Sequence, residues 1–149
     1  MNIEVPANLS LLRYFKSRAQ QPAGADHTKI EGTHPDLVER LWQELGGLLP
    51  EDCHAIVYGT PVLMRPSSAI VFAFAGGSHT YALRLPADVR TEAMTAGAGR
   101  VHLYPAYPEL GIAASSFSLD GIGDEWVFGG WLKGEEQWVL AAYEYATNL

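Results

Sequence analysis

The chain has 149 residues, of which 48% are hydrophobic and 18% charged, a composition typical of one folded domain with a sizeable core. Its 10 Lys and Arg residues stand against 17 Asp and Glu residues, giving a net charge of −7. This charge opposes the electrostatic attraction behind most non-specific nucleic-acid binding. We therefore predict a single globular domain, 1–149, for which nucleic acid is a disfavoured partner.

The sequence also carries signals about compartment. No stretch reaches the roughly 18 uncharged apolar residues of a membrane span. The segment 1–18 lacks the basic start of a signal peptide and interrupts its apolar run with Arg13 and Lys16. The single Cys53 has neither a disulfide partner nor a CxxC companion. We predict a cytoplasmic protein that does not enter the membrane, with Cys53 as a small buried residue.

The first predicted element is a helix in "NLSLLRYFKSRAQQ", with Asn8 as its N-cap. Its apolar stripe is predicted at three- and four-residue steps: Leu9, Leu12, Phe15, Ala19. A small basic cluster lies on the same helix: Arg13, Lys16, Arg18. We interpret this cluster as a solvated helix face.

A second helix is predicted in "THPDLVERLWQELGG", after a surface loop. Thr33 and Asp36 have the spacing of a capping box, and Gly46 and Gly47 end the helix. The apolar stripe predicted to face the core is Leu37, Val38, Leu41, Trp42, Leu45.

Four short apolar segments follow, "CHAIVYG", "PVLMR", "SAIVFAFA" and "HTYALRLP", with the spacing of an antiparallel meander. Strand alternation places Ile70, Phe72 and Phe74 on one face of the third segment, and its alanines and Val71 on the other. Because both faces are apolar, this strand is predicted to be central and covered on both sides.

The last third alternates again between helix and strand. It contains a weak helix pattern in "ADVRTEAMTAG", strands in "RVHLY", "AASSFSLDG" and "EWVFGGW", and a closing helix that Gly134 can cap. The face of that helix predicted to be buried is Trp138, Ala142, Tyr145, Leu149, widened by Val139, Tyr143, Ala146. The whole order of elements predicts an α+β fold, an antiparallel meander packed against N-terminal and C-terminal helices.

The strands "GTPVLMR", "AIVFAFA" and "YALRLP", the late "EWVFGGW" and the final "AAYEYA" together resemble the YjbR family, relatives of the TfoX N-terminal domain. The resemblance spans roughly 36–146 and is carried by element order. It implies a compact α+β domain, and DNA binding as suggested for some members. The chain departs from the family pattern at "PSSA", 66–69, where a lysine is common, and at Ala142, where a serine is expected.

No residue set with the spacing of a catalytic or metal site stands out. The five histidines are scattered singly, without HxH or HExxH, and no GxSxG or P-loop pattern occurs. Cys53 and His54 are neighbours on a predicted strand and so point to opposite faces, which separates a nucleophile from its base. We expect no catalytic residues, no metal and no cofactor.

Three residues are candidates for binding. Arg84 lies in "YALRLP" on the same face as Ala82, and Arg65 ends a neighbouring predicted strand, so their guanidinium groups are expected near one another. There they bind a small anionic ligand, an acidic side chain of a partner, or an internal carboxylate such as Asp120 or Asp124. Trp131 follows a Gly-Gly pair and is expected at the rim of the core, where it contacts water or a partner.

The sequence therefore favours a non-catalytic binding or interaction protein with a regulatory or partner-neutralising role, acting through a protein partner or self-association. A nucleic-acid-associated regulator of the YjbR and TfoX type is the second hypothesis. A small-molecule enzyme is the third.

Overall fold

The computed structural model describes residues 2–19, 35–76, 80–104, 106–111, 115–129, 132–147 and 149. Its α-helices are α1 (Leu9–Ala19), α2 (Pro35–Glu39), α3 (Ala87–Thr95) and α4 (Glu135–Tyr145). A 3-10 turn, Pro6–Asn8, precedes α1, and α2 continues as a π-helical stretch, Arg40–Leu45, and a 3-10 turn, Gly46–Leu48. We call the whole of 35–48 the α2 region.

The strands are β1 (His54–Val57), β2 (Thr60–Met64), β3 (Val71–Gly76), β4 (Thr80–Arg84), β5 (Val101–Tyr104), β6 (Ser115–Ser118) and β7 (Trp126–Phe128). Five of them form an antiparallel sheet in the order β1-β2-β3-β4-β7, and β5 and β6 form a separate hairpin. The predicted α+β fold with an antiparallel meander is confirmed.

Both faces of the sheet are covered, as predicted for a central β3. The first face packs against the α2 region and α4, with Leu41, Leu83 and Val139 fully buried. The second face packs against α1 and encloses Phe15, Phe74, Trp126 and Phe128. β3 therefore lies between two apolar layers, while β1 forms an outer strand of the sheet.

The predicted faces of β3 are wrong at Phe72. Leu63 of β2 pairs with Ala73, whereas Met64 pairs with Val71, so Phe72 is an extra residue in β3. This β-bulge reverses the alternation. Phe72 packs towards α4 and Phe74 towards α1, instead of sharing a face.

The N-terminal helix also differs from its predicted pattern. Leu9 is 44% exposed, while Leu11, Leu12 and Phe15 are buried. The Asn8 side chain does not serve α1: its amide donates to the carbonyl of Ala69 at 2.7 Å and its oxygen accepts from the N–H of Val71 at 3.0 Å. Asn8 therefore fixes the start of the chain to the turn before β3.

The α2 region follows the predicted stripe, with Leu37, Leu41 and Leu45 buried. The predicted capping residue Thr33 lies outside the described residues. At the other end of the chain, Gly134 precedes α4 with φ of 102°, and a Cβ at this position would lie 3.1 Å from the Trp138 ring. Both constraints favour glycine there.

The aromatic strand β7 divides between the two layers. Trp126 and Phe128 share a face and Val127 takes the other, as alternation predicts. However, Trp126 and Phe128 belong to the layer under α1, and Val127 is the residue that packs with α4. The prediction that the two aromatic rings pack against the final helix is therefore wrong. Trp138 is buried as predicted, while Leu149 is 41% exposed.

Candidate functional site

Arg84 ends β4 and is held entirely by internal partners. Its side chain is 7% exposed and stacks on the Trp126 ring, with the guanidinium 5.2 Å from the ring centre. Nε and Nη2 donate to the Glu125 carboxylate at 3.2 and 3.1 Å. Nη1 and Nη2 also donate to the carbonyls of Val71, at 3.3 Å, and Ala7, at 2.6 Å. Burial lowers the Arg84 pKa, and the nearby Glu125 charge opposes this effect.

The carboxylate beside Arg84 is therefore Glu125, whereas the sequence suggested Asp120 or Asp124. Both of those aspartates are exposed. Glu125 immediately precedes Trp126, and Trp126 is the direct pairing partner of Arg84 across the sheet. Cross-strand pairing thus brings Glu125 to the guanidinium.

Arg65 has a different set of partners, at the C-terminal end of α4. Its Nη1 donates to the Tyr143 carbonyl at 2.9 Å and to the Thr147 hydroxyl at 2.8 Å. Its guanidinium lies 4.1 Å from the centre of the Tyr143 ring. A positive charge that binds the last carbonyls of a helix stabilises the helix end. Arg65 and Arg84 thus hold separate structural partners, and these contacts do not assemble the expected two-arginine site.

A prediction follows for the Arg84 pair. Removing one partner of a fully buried ion pair costs about 3–5 kcal/mol. Because the Glu125 side chain is 24% exposed, we expect Glu125→Gln to lower the free energy of unfolding by a smaller amount, about 2 kcal/mol. The exposed Asp124→Asn variant is the matched control and should change it by less than about 0.5 kcal/mol. Urea denaturation of both variants measures the difference, and equal effects would contradict the structural role of Glu125.

Trp131, the third residue proposed from the sequence, lies outside the described residues. Its expected contact with a partner stays a prediction.

A second polar cluster lies between α2, β4 and α4. Arg40 forms an ion pair with Glu135, whose carboxylate also accepts a hydrogen bond from the Tyr81 hydroxyl. The Glu135 side chain is 8% exposed and Tyr81 is fully buried, and this burial raises the pKa of the Tyr81 phenol. The only mark of this cluster in the sequence is Tyr81, because a tyrosine in a buried strand needs a hydrogen-bond partner. These two contacts connect the α2 region and the start of α4 to β4.

β1 is an outer strand of the sheet and pairs only with β2 among the described strands. Its other side therefore presents backbone groups that do not bond to a strand of the sheet. The hairpin turn at Tyr58 and Gly59 has φ values of 48° and 77°, as a two-residue type I′ turn requires. Val57 pairs with Thr60, and Ala55 with Val62. In this register the N–H and C=O groups of residues 54 and 56 point outwards. The Ile56 side chain is 66% exposed. We call this surface, formed by residues 51–58, the β1 edge.

A cleft of about 450 Å³ opens beside the β1 edge, between the strand and the α2 region. Trp42 forms one wall: its indole N–H donates to the Val62 carbonyl at 2.9 Å and its ring lies 5.3 Å from the His54 ring. Glu51 and Asp52 line the same cleft. The cleft is thus an open, acidic groove with one fixed aromatic wall.

His54 and Asp52 are paired within this groove. The imidazole Nδ1 bonds to the Asp52 carboxylate, which also accepts the backbone N–H of His54 at 3.1 Å. These two hydrogen bonds lower the pKa of Asp52. The outward N–H of His54 is therefore occupied by the Asp52 carboxylate.

The described residues around His54 offer it neither a protein nucleophile nor a set of metal ligands. The adjacent Cys53 points into the core, is 3% exposed, and burial raises the pKa of its thiol to about 11. Over the described ranges, no group of three His, Cys, Asp or Glu residues is placed to hold a metal ion.

The two ends of the β1 edge carry opposite charges. Glu51 and Asp52 precede the strand. At the other end, the Lys16 ammonium of α1 lies 5.1 Å from the centre of the Tyr58 ring. Lys16, predicted to lie on a solvated helix face, thus also contacts the residue that follows β1. The sequence could not predict this contact, because Lys16 and Tyr58 are far apart in the chain and the strand order was unknown.

Comparisons of the chain with protein-family models, with curated proteins and with solved structures gave no match. The resemblance to the YjbR family therefore stays a prediction. Within the described part of the chain, no helix has the length and apolarity needed to cross a membrane.

Proposed function

We propose that this domain is a non-catalytic protein-interaction module that binds a partner by adding a strand to its sheet at the β1 edge. The observation that carries the proposal is the exposure of Ile56, at 66%, on an outer strand whose backbone groups point away from β2. An open strand edge is a template for pairing with another chain.

The other outer strand supports the choice of β1. β7 lies at the opposite side of the sheet, and Phe128 exchanges backbone hydrogen bonds with Gly99 at 2.7 and 3.1 Å. This bridge occupies part of the β7 edge. Within the ranges that the structure describes, no strand pairs with β1 from outside.

The cleft beside β1 supplies specificity in this proposal. In strand addition, backbone hydrogen bonds give affinity, while pockets beside the strand select side chains. Trp42 offers an aromatic face, and the acidic groups Glu51 and Asp52 disfavour acidic partners. Binding of this kind fits a regulatory or partner-neutralising role. The buried free thiol of Cys53 is consistent with the reducing cytoplasm, where we place the protein.

The proposal is tested by selecting peptides from a random displayed library on the immobilised domain and titrating a synthetic selected peptide. In Ile56→Pro, the ring replaces an outward N–H and leaves the β1–β2 ladder intact, which a strand edge tolerates. We expect this variant to bind at least about tenfold more weakly, because it removes a donor and blocks the approach of a strand. Ile56→Thr, which keeps the N–H and a branched side chain, is the matched control and should bind within about threefold of the unsubstituted protein.

Circular dichroism checks that both variants are folded. If Ile56→Pro is unfolded, Ile56→Asp replaces it, because a charge on a strand edge also prevents pairing. Failure to select any peptide, or equal binding by all the variants, would refute the proposal.

A further inference from the structure

We infer that the strand added at the β1 edge carries an arginine, whose side chain enters the cleft between β1 and the α2 region. The inference rests on the proposed strand addition and names the chemistry of the partner. It follows from the position of one carboxylate at the edge, the charge of the cleft and its fixed aromatic wall.

The Asp52 carboxylate lies at the open edge of β1. The N–H of His54 points away from β2, because the next residue, Ala55, is the one that forms a hydrogen-bonded pair with Val62. Asp52 accepts this outward N–H at 3.1 Å, in the place where an added strand would offer a carbonyl. A strand that pairs with Ile56 therefore meets a carboxylate as it reaches His54.

The cleft opens on the face of the sheet to which His54 points. The imidazole lines the cleft, and its ring centre is 5.3 Å from that of Trp42. In an antiparallel pair, side chains directly opposite each other project to the same face of the sheet. The partner residue opposite His54 therefore directs its side chain towards the cleft, whose volume is about 450 Å³.

The charges of the cleft select a cationic side chain. Glu51 and Asp52 line it, and none of its described lining residues is a lysine or an arginine. Oδ1 of Asp52 takes part in both bonds with His54. Oε2 of Glu51 accepts the Tyr143 hydroxyl at 2.6 Å. Because a carboxylate offers about four acceptor positions, each group can bind a further donor and keep its internal partner.

The aromatic wall favours arginine over lysine. The indole N–H of Trp42 donates to the Val62 carbonyl at 2.9 Å, which fixes the ring beside the carboxylates. A guanidinium stacks on an aromatic face and donates a planar fork to carboxylates, whereas an ammonium is a strongly hydrated point charge. The domain combines the same contacts internally, since Arg84 stacks on Trp126 and bonds to Glu125.

The cleft is open to solvent, which limits the strength of each contact. The Asp52 side chain is 72% exposed, and a single exposed ion pair contributes little. The arginine therefore acts through stacking and two carboxylates together, while the backbone ladder supplies the rest of the affinity. The net charge of −7 adds a long-range attraction for a cationic strand, and salt weakens this attraction.

Peptides selected from the displayed library test the inference first. We expect them to share one arginine, at the position where the added strand faces His54. Replacing that arginine by citrulline, which keeps its shape and removes its charge, should weaken binding at least about tenfold. Replacing it by lysine should weaken binding about threefold, because an ammonium does not bind as a planar fork. Isothermal titration calorimetry of the synthetic peptides measures these differences.

Variants of the domain place the arginine in the cleft. The double variant Glu51→Gln and Asp52→Asn removes both charges and keeps side-chain acceptors for the internal partners. It should bind the arginine and citrulline peptides within about threefold of each other, the coupling that a double-mutant cycle measures. Glu92→Gln with Asp124→Asn makes the same charge change at exposed positions outside the cleft, so this matched control should keep the full preference for arginine. Circular dichroism checks the fold, and the single variants replace the double variant if it is unfolded.

Peptides that bind in an Ile56-dependent manner and share a lysine, an aromatic or an aliphatic residue in place of the arginine overturn the inference. A shared arginine that citrulline replaces without loss, or a double variant that keeps the full preference for arginine, also overturns it. In all these cases the proposed strand addition stands. If no peptide is selected, or if Ile56→Pro binds the peptides as well as the unsubstituted domain does, both proposals fail.

Discussion

Replacing Trp126 with alanine should destabilise the domain by about 3–5 kcal/mol, the range for truncating a large buried aromatic residue. Trp126 is 1% exposed, and its ring lies 5.2 Å from the Phe74 ring. The same ring is stacked against the Arg84 guanidinium. The substitution therefore opens a cavity under α1 and removes the aromatic surface that covers a buried positive charge.

The loss is large relative to the total stability of a domain, commonly about 5–15 kcal/mol. Urea denaturation followed by far-ultraviolet circular dichroism measures it. Tyr107→Ala is the matched control, because Tyr107 is 43% exposed, and it should change the free energy of unfolding by less than about 0.5 kcal/mol. If the two substitutions cost the same, Trp126 does not lie in the core between β7 and α1.

Local pattern was sufficient to predict the class of fold and most of its elements. The stripe of the α2 region and the alternation along β7 identify buried residues such as Leu41 and Trp126, because helix and strand periods are properties of the local backbone. The layer in which each residue lies depends on strand order. The pairing of β7 with β4 directs the Val127 side chain towards α4. The Trp126 side chain therefore points to the opposite face of the sheet, under α1.

The bulge at Phe72 shows a second reason for a wrong prediction. An extra residue shifts the pairing between β2 and β3, and every side chain before it changes face relative to those after it. In a strand with a polar face, the shift would expose apolar residues and be visible in the sequence. Here both faces of β3 are apolar, so the sequence contains no mark of the bulge.

The two arginines show that the sequence can predict the need for a hydrogen-bond acceptor without predicting which residue supplies it. A buried Arg84 requires an acceptor, and this follows from the chemistry of a guanidinium in an apolar strand. The choice among nearby acidic residues depends on the path of the chain into β7, which places Glu125 at the Arg84 side chain. Arg65 meets the end of α4, a contact between residues that are 78 positions apart.

The β1 edge was not predictable from its own sequence. "HAIV" alternates His54 and Ile56 with Ala55 and Val57, as a strand covered on one face does. Its backbone lies at the edge of the sheet only because β2, β3, β4 and β7 all extend the sheet in the other direction. Lys16 reaches the same edge from α1, so the charge pattern of this surface is a product of tertiary structure.

Replacing Leu41 with alanine is the second large effect that we expect, about 2–5 kcal/mol of lost stability. Leu41 is fully buried in the layer between the α2 region and α4, where the neighbouring turns contribute Leu37 and Leu45. Truncation leaves a cavity that the sheet limits on one side, so the surroundings relax only partly. Glu39→Ala, on the exposed face of the same helix, is the matched control and should stay within about 0.5 kcal/mol. The denaturation midpoints of the two variants measure this contrast. Small and equal shifts would mean that the α2 region does not pack by this stripe, and the wall that Trp42 forms beside the β1 edge would then lose its support.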